Sequence, residues 1–161
     1  MPAQAEKTRE SNKSSTNVTK EELIDLLNED LAREYQAVIA YVVYSQVIKG
    51  AQFMTIAKEL EKHAGEELQH ALIISKQIDC LGGIPTVQQK PVKLSEDARQ
   101  LLKFDLDNEI ETLGNYRQRI RQADALGEFA LSEALRKIIV QEQDHAIELA
   151  TALGIEVPEV A

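Results

Sequence analysis

The chain has 161 residues, 43% of them apolar, with a formal net charge of −9 and a pI near 4.9. That size and composition fit one domain with a sizeable core, and the acidity argues against a nucleic-acid-binding body, which needs clustered Lys and Arg. A single cysteine, Cys80, excludes an internal disulfide and any Cys-rich zinc or iron–sulfur cluster.

Cys80 itself reads as a small apolar residue near a helix end. No apolar run of about 18 residues occurs and the N-terminus lacks an apolar h-region, so neither a membrane span nor a signal peptide is expected. The cytoplasm is the expected compartment. Only 7 Gly and 4 Pro stand against many Ala, Leu, Glu and Gln, which favours helix over sheet.

Residues 1–18 are polar and lack an apolar period, so they read as a flexible tail. Lys7, Arg9, Lys13 and Lys20 could touch an acidic partner, and the interleaved Glu6, Glu10 and Glu21 favour a solvated linker. Thr19 followed by Glu22 is a capping-box signature that opens the first helix. Its stripe of Ile24, Leu27, Leu31, Glu34, Val38, Tyr41, Ser45 and Ile48 steps by three and four along one face. Gly50 permits a tight turn. The second helix carries Ile56, Leu60, His63, Glu67, His70, Ile74 and Leu81, and stops at Gly82-Gly83 before Pro85.

Ser95 is the predicted N-cap of a third helix, with Glu96 and Asp97 suiting the positive end of its dipole. That helix follows Leu102, Asp105, Glu109, Thr112 and Tyr116 to near Ala123, where Asp124 is the predicted cap of a fourth. The fourth stripe is Leu131, Leu135, Ile138, Glu142, His145, Leu149 and Ala152, ended by Gly154 and Pro158. Short turns near 50 and 124 make the first and second helices antiparallel, and likewise the third and fourth. A helix of about 28 residues is roughly 42 Å long, and the thirteen residues of 82–94 reach about 43–47 Å when extended. That segment spans the bundle, so the second and third helices run parallel. The prediction is an all-α four-helix bundle over 19–154, two antiparallel pairs joined by one long crossover, with a short tail over 155–161.

Glu-x-x-His occurs twice, as Glu67–His70 and Glu142–His145. A shift of 75 residues carries Glu34, Glu67 and His70 onto Glu109, Glu142 and His145, and carries Tyr41 onto Tyr116. Four carboxylates and two imidazoles therefore lie on stripes otherwise made of Leu, Ile and Val. An unpaired buried carboxylate costs several kcal/mol, so six such residues related by one shift point to shared metal ligation. Carboxylates with one imidazole per metal suit iron or Mn(II), whereas structural zinc prefers Cys and His. Four carboxylates neutralise two divalent ions. Residues three apart face the same way on a helix, so the two motifs set two metals side by side, with Glu67 and Glu142 as bridges, Glu34 and Glu109 as terminal ligands, and one histidine on each metal.

This constellation resembles the ferritin-like di-iron carboxylate proteins, and among them bacterioferritin and related ferritins, from about Val18 to Gly154. The family pattern falls on Glu34, Glu67-Leu68-Gln69-His70, Glu109 and Glu142-Gln143-Asp144-His145. The resemblance implies a homo-oligomeric ferroxidase that binds two Fe(II), passes their electrons to O₂ or H₂O₂, and releases or stores ferric mineral. It places Tyr41 beside the site as a source of an electron or hydrogen bond, and Tyr116 as a partner of a ligand carboxylate; as readings of the residues alone, both equally pack the bundle. The family's haem methionine would stand at Leu68, so no haem is expected. Ile-Glu-Val-Pro-Glu-Val-Ala after Gly154 cannot form the short fifth helix of the larger ferritin shells. His63 is an additional or exchanging iron ligand, a station for iron leaving the site, or a hydrogen-bonded histidine at the bundle surface. Alternatives within the class are a Dps- or rubrerythrin-like peroxide-protection protein and a di-iron or di-manganese oxidase.

Overall fold

The computed structural model describes residues 15–161, and these hold four α-helices and no strand. They are α1 (Lys20–Val47), α2 (Met54–Cys80), α3 (Ala98–Ala125) and α4 (Phe129–Leu153), with a short 3₁₀ turn at Ala51–Phe53. The expected linker residues Lys7, Arg9 and Lys13 lie outside the described residues. Helix α1 packs chiefly on α2 and α3 on α4, while α1–α3 and α2–α4 contacts close the bundle.

Helix α1 opens on the predicted capping box. The Thr19 hydroxyl accepts from the Glu22 amide at 3.1 Å, and the Glu22 carboxylate accepts from the Thr19 amide at 2.8 Å. Two other predicted caps are displaced. Ser95 does not cap α3; its hydroxyl accepts from the Asp97 amide, and Asp97 in turn accepts from the Arg99 amide at 3.0 Å, so the cap moves two residues on and α3 starts at Ala98. Asp124 does not cap α4 either. Helix α3 runs past it, and Gly127 at φ 75° supplies the left-handed residue that ends it, with the Glu128 amide donating to the Ala123 carbonyl at 2.9 Å. The Asp124 carboxylate instead accepts from Arg136 at 3.0 Å, across the turn.

Irregular chain between Cys80 and Ala98 makes the crossover, and α1 holds it along its length. Asn28 bonds Ile84 and Thr86, the Lys90 amide donates to the Ala32 carbonyl, and Gln36 donates to Pro91. Tyr44 closes the series with a short bond to the Lys93 carbonyl. At the start of this strap, a Cβ on Gly83 would sit 2.5 Å from Ile24, so only glycine lets the chain leave α2 this close to α1. Cys80, the last residue of α2, is exposed.

The apolar core is divided. One cluster around Leu60, Leu102, Leu106 and Leu149 fills one end of the bundle, and another around Leu27, Leu31, Ile74 and Leu135 fills the other. Each fully buried Leu or Ile contributes roughly 1.5–3 kcal/mol by leaving water. Ile24 and Val38, placed on the α1 stripe by spacing, are only half-buried, whereas Leu23, Asp30 and Tyr44 are buried. The packed chain also begins before Thr19, since Val18 is buried and the Ser15 carbonyl accepts from Gln122 at 2.7 Å. At the other end, residues 155–161 form no helix and lie against α3, where the Ala161 carbonyl approaches Gly114. No helix among the described residues is long and apolar enough to cross a membrane.

Candidate metal centre

Between the two apolar plugs lies a polar layer. Glu34 comes from α1, Glu67 and His70 from α2, Glu109 from α3, and Glu142 and His145 from α4; all six are buried. They form two overlapping sets of close ligand atoms: Glu34, Glu67, His70 and Glu142 in one, Glu67, Glu109, Glu142 and His145 in the other. Glu67 and Glu142 belong to both sets and Glu34 and Glu109 to one each.

Both imidazoles turn Nδ1 inward. His70 Nδ1 lies 2.7 Å from Glu142, 2.9 Å from Glu67 and 3.7 Å from Glu34; His145 Nδ1 lies 3.0 Å from Glu67, 3.5 Å from Glu109 and 3.7 Å from Glu142. The outward nitrogens are held by residues that the stripes did not flag. His70 Nε2 meets Gln141 Oε1 at 2.6 Å, and His145 Nε2 meets Glu66 Oε2 at 2.7 Å. The 75-residue shift would have found them, because it carries Glu66 onto Gln141. Such outer partners fix which nitrogen points at a metal and how basic it is. One partner is a carboxylate and the other an amide, so the two halves of the site are not electrostatically equal.

The tyrosines hold carboxylates. Tyr41 donates to Glu109 Oε1 at 2.5 Å and Tyr116 makes a short bond to Glu34 Oε1. Burial first, and then the neighbouring carboxylates, raise both phenols well above their ordinary range, so they stay protonated donors. Glu109 Oε2 is buried with no hydrogen-bond partner. His63 is not at the bundle surface. It is 1% exposed, bonded through Nε2 to Glu148 at 2.6 Å and stacked on His145 with ring centres 4.0 Å apart. Burial, then the charge of His145, lowers it to about 4. Asp105, one turn before Glu109, is buried with Oδ2 unpartnered, and burial and Glu109 push it well up.

Without a cation the cluster compensates itself with protons. Burial, then Glu142, Glu34 and Glu109, pushes Glu67 well above the usual carboxylate range. Burial and Glu142 raise Glu109 to about 7, whereas bonds from Glu109, His145 and His70 overcome burial and draw Glu142 down to about 2. Burial alone would lower His70 and His145, but their carboxylate partners hold both far above the ordinary imidazole range. Groups raised on folding contribute stability below their unfolded values and lose it as pH rises through the folded ones. Glu67, Glu109, Asp105, His70 and His145 all share that sign; Glu142 opposes it only at acid pH, and His63, lowered to about 4, opposes it up to its ordinary value and does so with or without a cation. The chelator-stripped protein is therefore expected to lose thermal stability steadily from pH 5 to 9 relative to the Mn(II)-loaded protein. A melting-temperature gap that stays constant over that range would contradict this electrostatic picture.

The comparisons with known proteins agree with this geometry. The family model described as a ferritin-like domain matches residues 24–156. A solved ferritin-like diiron-carboxylate protein from Bacillus anthracis is 36% identical, with a TM-score of 0.80 over 83% of this chain and 96% of its own. Rhodobacter capsulatus bacterioferritin, solved with a metal-free dinuclear site and haem iron on a crystallographic special position, is 26% identical, with a TM-score of 0.75 over 82% and 83% of the two chains. The bacterioferritin of Brucella melitensis is 24% identical over 134 residues, 83% of each chain. A four-helix bundle with one long crossover and a matching domain model over most of its length make this chain a member of the ferritin-like family.

Proposed function

We propose that this protein is a ferroxidase of the ferritin and bacterioferritin type, which oxidises Fe(II) to Fe(III) with O₂ or H₂O₂ for iron storage and detoxification. The observation that carries the proposal is the buried layer of four carboxylates and two inward-facing imidazoles within one chain. Its donor set fits two ions of the iron or manganese type: hard oxygen ligands dominate and each ion takes one imidazole. Two divalent ions balance four carboxylates, and loading releases the protons that hold the empty cluster together.

Two Fe(II) give up two electrons, which with two protons reduce O₂ to H₂O₂ or reduce H₂O₂ to two waters. The chain's part is to bind, orient and exclude. Glu67 and Glu142 would be shared by the two ions, and Tyr116 and Tyr41 hold Glu34 and Glu109 by hydrogen bonds. Gln141 and Glu66 aim His70 and His145 inward, and the two apolar plugs keep bulk water out of the layer. A haem does not fit the family's position for it, because Leu68 has no ligand atom and is half exposed. A cytoplasmic homo-oligomer completes the reading.

Aerobic addition of Fe(II) tests it. A fast phase of ferric absorbance saturating at two Fe(II) per chain is expected, and parallel additions of O₂ and H₂O₂ identify the oxidant. Oxidation no faster than that of free iron in the same buffer would refute the proposal.

A further inference from the structure

All three histidines of the chain converge on the seam between α2 and α4, but only two of them belong to the dinuclear cluster. The third, His63, is buried against the rings of His145 and Tyr41 but does not join the six clustered residues. It displaces an apolar residue from the core, bonds Glu148 through Nε2, and keeps Nδ1 buried without any partner. A buried polar atom left unpaired costs about 1–3 kcal/mol, a cost that a leucine at this position would avoid. Glu59 lies one turn before His63 on α2. One ligand atom from each of Glu59, His63 and Glu148 falls within 4.8 Å of the others. Glu59 and Glu148 also border a cleft of about 280 Å³ that opens on the α2–α4 seam beside Gln52, Thr55 and Ile147. The group thus has solvent on one side, and on the other a histidine ring stacked on His145.

We infer that Glu59, His63 and Glu148 form a third, outer site for a divalent cation, from which the ion passes to or from the buried pair. Two carboxylates and one imidazole suit the same borderline and hard ions as the inner cluster, and three protein ligands leave positions for water, as transit requires. The step inward is short. Glu148 follows His145 by one turn of α4, and Glu66, partly exposed, already bonds His145 Nε2. The outer site exists independently of the ferroxidase reading, which supplies only the destination of the ion.

Co(II), a redox-stable stand-in for Fe(II), distinguishes the two. Calorimetric titration of the full chain, with anomalous diffraction from Co(II)-soaked crystals, is expected to give three ions per chain, one of them beside Glu148. Glu148→Gln and Glu59→Gln alter partly exposed side chains of the same shape and leave the core intact. Each is expected to bind two ions, with the outer peak gone and the inner pair kept. Wild-type saturation at two ions, or a third ion persisting in both variants, would overturn the outer site. If instead the inner pair were absent, one ion per chain would remain and would vanish in Glu148→Gln, so the two readings fail separately.

Discussion

Replacing Glu67 with glutamine is expected to abolish rapid Fe(II) oxidation while making the metal-free bundle more stable at high pH. Glu67 is the one carboxylate within 3.0 Å of both inward imidazole nitrogens, Oε2 at 2.9 Å from His70 and Oε1 at 3.0 Å from His145. Glutamine keeps the shape but cannot bridge two cations. Outer partners alone are typically worth 10–100-fold in metal affinity or activity, so loss of a bridge should lower the initial rate by at least about 100-fold. The stability change has the opposite direction. Wild-type Glu67 must ionise inside a buried cluster that disfavours its charge, and that cost grows by about 1.4 kcal/mol for each pH unit between its unfolded and folded values. The variant does not pay it. Its melting temperature should match the stripped wild type near pH 5 and exceed it by several degrees at pH 9. Unchanged oxidation kinetics would overturn the assignment of the bridge.

The second large effect concerns folding alone. Arg119 binds Asp30 through Nε at 2.7 Å and Nη2 at 3.4 Å, linking α3 to α1 beneath the cluster, and both are about 2% exposed. Arg119 also donates to Gln122 at 3.1 Å. Removing one partner of a buried pair costs about 3–5 kcal/mol, because the other charge stays buried without compensation. In a chain of this size that is a loss of on the order of 10 °C in melting temperature. Asp30→Leu or Arg119→Met alone should show it in thermal melts. The double replacement should recover most of it, since apolar residues of similar volume substitute well for such pairs. Singles that melt with the wild type would mean that the pair is screened in a way its burial does not suggest.

The same pair shows what the sequence hides. The shift that equates the two halves carries Asp30 onto Asp105 and Tyr44 onto Arg119, so the half that pairs Asp with Arg has a counterpart in which Asp105 sits near Tyr44 instead. Burial, then Asp105, raises that phenol to about 12. Repeat symmetry locates equivalent positions but does not say which substitutions have broken the equivalence. The bundle was legible because stripes at helical spacing and one crossover-length segment admit few arrangements. The six clustered residues were legible because carboxylates on apolar stripes need a reason. Glu66, Gln141 and Glu148 were not, because each lies beside a stripe, where Glu and Gln are ordinary surface residues. The caps at Ser95 and Asp124 failed for a local reason: several residues at each end are competent caps, and tertiary packing chooses among them.

An iron-loaded crystal, measured at the iron absorption edge, tests the central claim most directly. Two anomalous peaks are expected inside each bundle, one beside His70 Nδ1 and the other beside His145 Nδ1, with Glu67 and Glu142 between them. Density with no iron among the four helices would contradict that claim.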